Sequence, residues 1–205
     1  MTTSLHDRTA SFKSVLAWLG FVFFIALAVR MVHLFQILPA PFFPFKMGDA
    51  ASYDTWAQTI AAGDWLGSQV FYQAPLYPYF LGTVYTVFGD DMFSIRLCQA
   101  IVGAASCVLL AAAGWRIFSR GVGVLAGMVL ALYAPAVFFD SLVQKSVLDA
   151  FFLCLALVLY GGLLQRASLW RWCGLGATVG FLVLCRENAL VFAPAVLAWI
   201  PFAPR

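Results

Sequence analysis

Apolar residues fill long runs of this chain, and polar residues are confined to the joints between them. The first run extends from about 14 to 38 and is preceded by Arg8 and Lys13. Its length, with no small-x-small cleavage pattern after it, marks an uncleaved first span rather than a signal peptide. Later runs lie near 95–116, 121–139, 147–164, 170–185 and 189–203. Each is bounded by a short polar joint. This pattern predicts about six membrane-spanning helices.

Residues 39–94 follow a different pattern. Pro39, Pro41, Pro44, Pro75 and Pro78 interrupt the backbone, and Asp49, Asp54, Asp64, Asp90 and Asp91 all fall here. From Asp49 to Ala62 the spacing predicts a short amphipathic helix, with Tyr53, Trp56, Ile60 and Ala61 on one face. From Tyr77 to Phe88 the chain is apolar and aromatic. At ~1.5 Å per residue this stretch reaches about 18 Å, short of a ~30 Å hydrocarbon core. It reads as a second helix at the membrane surface, where tyrosine suits the headgroup level. The expected organisation is an N-terminal segment over 1–13 and a membrane domain over 14–205, with a large first loop between the first two spans.

Composition sharpens this picture. Of 205 residues, 63% are hydrophobic and 10% charged, against about 25% charged in soluble domains. With a mean hydropathy of +0.92, a soluble enzyme, a disordered chain and a nucleic-acid binder are all excluded. The five cysteines lie in or beside apolar runs, so they read as small packing residues rather than a disulfide framework.

Charge supplies an orientation. With six spans, Arg8, Lys13, Arg116, Arg120, Arg166, Arg171 and Arg205 fall on one side, which the positive-inside rule makes cytoplasmic. Lys46 and Lys145 fall outside, as do Asp49, Asp54, Asp64, Asp90, Asp91, Asp140, Asp149 and Glu187. The N-terminus is therefore expected to be cytoplasmic; a bacterial inner membrane is the expected location.

Three polar clusters then converge on the outer face. Asp49 opens the first loop's helix, where it serves either as a cap, or as a general base or metal-holding carboxylate facing a cavity. Lys145 and Asp149 share a helix face at i,i+4, suited to an ion pair or to holding a phosphate. Arg186 and Glu187 end a short span, and the guanidinium fork of Arg186 suits phosphate. No His or Cys spacing signals a metal. His6 and His33 are isolated, and Arg30 either snorkels or faces inward.

Several segments together resemble the family 39 glycosyltransferases, the relatives of protein O-mannosyltransferases and aminoarabinose transferases. They are Ala74-Pro-Leu-Tyr-Pro-Tyr-Phe-Leu-Gly82, Phe88-Gly-Asp-Asp, Ile95-Arg-Leu, Trp115-Arg-Ile-Phe-Ser-Arg120, Ala131-Leu-Tyr-Ala-Pro135 and Leu184-Cys-Arg-Glu-Asn-Ala-Leu190. The resemblance implies an all-α GT-C-like membrane bundle with two surface helices in its first outer loop. It implies sugar transfer from a polyprenyl-phosphate donor to an acceptor at the outer face. It also implies catalytic roles for Asp49 and Asp149, and substrate contacts at Tyr53, Pro75, Tyr77, Lys145, Arg186 and Glu187. A divalent cation is compatible with this reading but not required by it. Members usually continue through further spans, so the chain is expected to match the N-terminal portion of such a module. A second reading stays open: a shortened, non-catalytic membrane protein, or a subunit that packs with a partner.

Overall fold

The computed structural model describes residues 5–67 and 73–199, and every regular element among them is helical. α1 (Leu5–Ile37) begins well ahead of the first predicted span, and its apolar stretch Ser14–Ile37 is long enough to cross a membrane. The same holds for α4 (Met92–Ile117) and α7 (Ser146–Gln165). Between them the expected single span over 121–139 is broken. α5 (Arg120–Leu132) and α6 (Ala134–Asp140) meet at Tyr133 with a 59° bend and qualify as a span only together. Pro135 explains the break. In a continuous helix its ring would meet the Ala131 carbonyl, and it has no N–H to donate.

α8 (Leu169–Cys185) is apolar but has only 17 residues. It leads into a 3-10 turn, Glu187–Val191, and then α9 (Phe192–Trp199). By length and hydropathy, three described helices, or four with the bent pair, suffice to cross a membrane. The six expected spans count α8 and a last one over 189–203, whose residues beyond 199 lie outside the described ones. The two expected loop helices are present as α2 (Asp49–Ala61) and α3 (Leu76–Phe88).

α4 is the axis of the bundle, packing on α1, α5 and α7. Small residues allow this. Val22, Ala26, Ala104, Cys107 and Ala131 form a core among α1, α4 and α5. A Cβ placed on Gly123 would lie 2.3 Å from the Ala111 carbonyl oxygen, and one on Gly127 would lie 2.8 Å from that of Cys107. These two glycines let the backbones of α4 and α5 touch. Gly176 and Gly180, spaced in the same way on α8, face open space instead.

A second core joins the surface helices to the bundle. Tyr53, Ala57, Tyr77, Leu81, Val84 and Tyr85 of α2 and α3 pack on Ile95, Val143, Val147, Leu148 and Cys185. The α2–α3 pair thus sits over the end of the bundle where α4 and α7 begin and α8 ends. Arg116 and Arg171 lie at the opposite end. There Arg116 Nη1 donates to the Val158 carbonyl at 3.0 Å and Arg171 Nη1 to that of Gly162 at 2.6 Å.

Candidate active site

The site is built on the loop that joins α6 to α7. Its backbone would be costly to bury unpaired, and polar side chains from α4 hold it. Gln99, fully buried, donates to the carbonyls of Asp140 at 2.7 Å and Leu142 at 2.6 Å. Its own oxygen accepts from the Tyr77 hydroxyl at 2.6 Å. Arg96 Nε donates to the Ser141 carbonyl at 2.8 Å. Below the loop, buried Arg30 donates to Asp140 at 2.8 Å. Gly103 makes room for that pair, since a Cβ there would lie 2.1 Å from Asp140 Oδ2. Arg30 therefore faces inward.

This loop delivers Lys145 to the N-terminus of α7 and Asp149 to its first turn. Arg186 follows the last residue of α8. Both placements suit the helix dipole: a carboxylate near free N–H groups and a guanidinium near free carbonyls. The pairs cross. Arg186 Nε donates to Asp149 Oδ2 at 2.7 Å, and Lys145 Nζ lies 3.8 Å from Glu187 Oε2. The i,i+4 pair Lys145–Asp149 suggested by spacing is replaced by two ties between α7 and the joint after α8. Asp149 Oδ1 is buried and accepts no hydrogen bond.

Asp49 is the first residue of α2 and exposed. It makes no capping bond. Gly48, with φ of 56°, occupies the cap position in a conformation that favours glycine. The Asp49 carboxylate instead accepts from Gln73 Nε2 at 2.9 Å. The next backbone amide, that of Ala74, helps to lower the Glu187 carboxyl.

Tyr53 lies between these groups. Burial first, then Asp49, Cys185 and Glu187, push its hydroxyl up to about 12, against a weaker opposing pull from Arg186. Arg186 is raised chiefly by its bond to Asp149. Glu187 is lowered, first by its own backbone amide and then, against an opposing effect of burial, by Lys145 and Ala74. The three clusters expected to converge do meet at one end of the bundle.

Two of the expected contacts have a different setting. Tyr53 is 1% exposed and Tyr77 0%, their rings edge-to-face at 5.1 Å. They form the floor under the carboxylates. Pro75 caps α3 and is half-buried. Asp54, which reads in sequence as a solvated residue, accepts from Lys46 at 2.5 Å and from the Tyr85 hydroxyl. Gln99 and Gln73 carry much of this geometry without a motif to announce them, and Arg96 lies in the Ile95-Arg-Leu segment without its role having been read. The usable signal was a lone polar residue inside an apolar run, at 96 and at 99. Among the described residues, no three His, Cys, Asp or Glu side chains come together as a metal site.

No curated protein and no solved structure matches the chain. One family model does match, over residues 72–204, and it is described as dolichyl-phosphate-mannose-protein mannosyltransferase. The match takes in Pro75, Tyr77, Lys145, Asp149, Arg186 and Glu187, and begins after Asp49. A helical membrane bundle with a polar site over one end, matched across most of its length by this model, places the chain in the dolichyl-phosphate-mannose-protein mannosyltransferase family, a family of membrane glycosyltransferases that use a lipid-linked sugar.

Proposed function

We propose that the chain forms the site at which a sugar leaves a polyprenyl-phosphate carrier for an acceptor hydroxyl at the outer membrane face. The observation that carries this reading is the meeting of Asp49 with the crossed pairs Arg186–Asp149 and Lys145–Glu187 at one end of the bundle. Asp49 is the base. Its exposed carboxylate is steadied by Gln73 at one oxygen, leaving lone pairs for an acceptor O–H.

The acceptor oxygen bonds to the anomeric carbon as its proton passes to Asp49. The bond from that carbon to the phosphate oxygen breaks, and the electron pair leaves on the phosphate. Arg186 and Lys145 offset the growing charge there. Each is already held by a carboxylate, so little side-chain freedom is lost when phosphate arrives. Asp149 acts by orienting Arg186, and Tyr53, Pro75 and Tyr77 shape the wall beneath.

The test is transfer from a radiolabelled polyprenyl-phosphate sugar by purified protein in lipid nanodiscs. Asp49→Asn is expected to lower turnover by about 10²- to 10⁴-fold while the donor still binds. Unchanged turnover would remove Asp49 from the mechanism.

A further inference from the structure

A second polar feature lies beside this site. A cavity of about 330 Å³ is lined by His33, Arg96, Ser141 and Gln144 on one side and by Phe42, Phe43, Phe45, Met47 and Phe138 on another. Its lining contains no carboxylate. Arg96 is 6% exposed, and its Nη1 is buried with no hydrogen-bond partner. The guanidinium rests on the Phe43 ring, 3.9 Å from its centroid.

Charge bookkeeping makes the cavity informative. Arg96 and Arg30 both border a void of about 10 Å³ beside Asp140, and that carboxylate is already bonded to Arg30. Asp140 thus balances Arg30, and Arg96 is left without a carboxylate partner. A buried charge without a partner is costly and calls for a counter-ion. The open cavity on Arg96 is where one fits. At its mouth Phe42, Phe45 and Met47 are 64%, 67% and 81% exposed, a surface suited to hydrocarbon rather than water.

We infer that this cavity binds the phosphodiester headgroup of an anionic phospholipid, with Arg96 as the charge partner and the Phe42–Phe45–Met47 rim against its chains. The excess of one positive charge matches a phosphodiester monoanion. The lack of a lining carboxylate separates this site from the donor's, where Asp49, Asp149 and Glu187 gather. An acidic phospholipid seated here packs against both the loop 38–48 and the loop carrying Lys145, and so braces the two together.

The test uses native mass spectrometry and thermal unfolding of the purified protein in mixed phosphatidylglycerol and phosphatidylcholine nanodiscs. Wild type is expected to retain one phosphatidylglycerol and to be stabilised by it. Arg96→Gln is expected to weaken retention about tenfold or more. Because Arg96 also bonds the loop, Met47→Glu serves as the second variant. It lies at the exposed mouth, places an anion there, and is expected to lose phosphatidylglycerol retention while unfolding normally in zwitterionic detergent. Equal retention of phosphatidylcholine, or retention unchanged by Met47→Glu, overturns the inference. So does displacement of phosphatidylglycerol by a polyprenyl-phosphate sugar at equal stoichiometry, which would make the cavity part of the donor site.

Discussion

Arg186 Nε lies 2.7 Å from Asp149 Oδ2, across the gap between the end of α8 and the start of α7. Arg186 is half-exposed, its side chain 49% accessible, so this bond contributes little to stability, under about 1 kcal/mol. Its consequence is orientation. Arg186→Gln is expected to leave the unfolding temperature nearly unchanged and to lower kcat/KM on the order of 10²-fold. Asp149→Asn acts through the same guanidinium, so the double variant is expected to be no worse than Arg186→Gln alone. Losses that multiply would show that the two residues act separately.

Gln99 makes three hydrogen bonds from a fully buried amide. Gln99→Leu preserves bulk and orphans the Asp140 carbonyl and the Tyr77 hydroxyl, while the Leu142 carbonyl keeps the Gln144 amide, at about 1–3 kcal/mol for each group left unsatisfied. A clear fall in unfolding temperature is expected, together with a raised KM for the donor as the Lys145 loop loosens. A variant that unfolds like wild type would mean that the loop is held by other contacts.

The contrast between these two residues explains what could be read from the sequence. Asp49, Lys145, Asp149, Arg186 and Glu187 stand at the ends of apolar runs, where an ionisable group is conspicuous, and their shared side follows from counting spans. Their pairing does not follow. Local spacing favours Lys145 with Asp149 and Arg186 with Glu187, and only the approach of α8 to α7 crosses them. Gln99 and Arg96 sit inside a run that reads simply as a span. What they bond is backbone 41 to 45 residues further on, a relationship with no period in the sequence. The break at Tyr133 was local information after all, since Pro135 stands in full view. Hydropathy averaged over a run conceals it.

Arg30 and Asp140 are paired and buried, with side chains 3% and 8% accessible. Arg30→Met leaves a buried carboxylate without its partner, and a loss of about 3–5 kcal/mol is expected. Adding Asp140→Leu removes that charge and is expected to recover part of the loss. Thermal unfolding of the single and double variants in detergent checks this. A double variant less stable than Arg30→Met would mean that the pair itself, rather than its charge balance, holds the α6 end.

Tyr53 links the site to pH. Its hydroxyl is pushed up to about 12, mainly by burial, from an ordinary value near 10. The folded state therefore holds the proton more tightly than the unfolded chain. That contribution is fully present below pH ~10 and is lost as pH rises through the folded value. Wild type is expected to lose stability over this interval more steeply than Tyr53→Phe, which has no proton to lose there. Parallel curves from alkaline unfolding of the two proteins would show that Tyr53 is not the group responsible.

The two glycine pairs allow the packing to be tested without touching any charged residue. A methyl on Gly123 would be driven to 2.3 Å from the Ala111 carbonyl oxygen and 2.6 Å from the Trp115 nitrogen, both backbone atoms that cannot step aside. Gly123→Ala must therefore spread α5 from α4. A methyl on Gly176 or Gly180 meets nothing within 4 Å, and alanine in a helix interior is favoured over glycine by roughly 0.5–1 kcal/mol. Gly123→Ala is expected to lower the unfolding temperature, whereas Gly176→Ala and Gly180→Ala are expected to hold or raise it. If Gly180→Ala were as damaging as Gly123→Ala, the outer face of α8 would have to be covered by another helix, because a methyl group costs stability only where something already occupies its space.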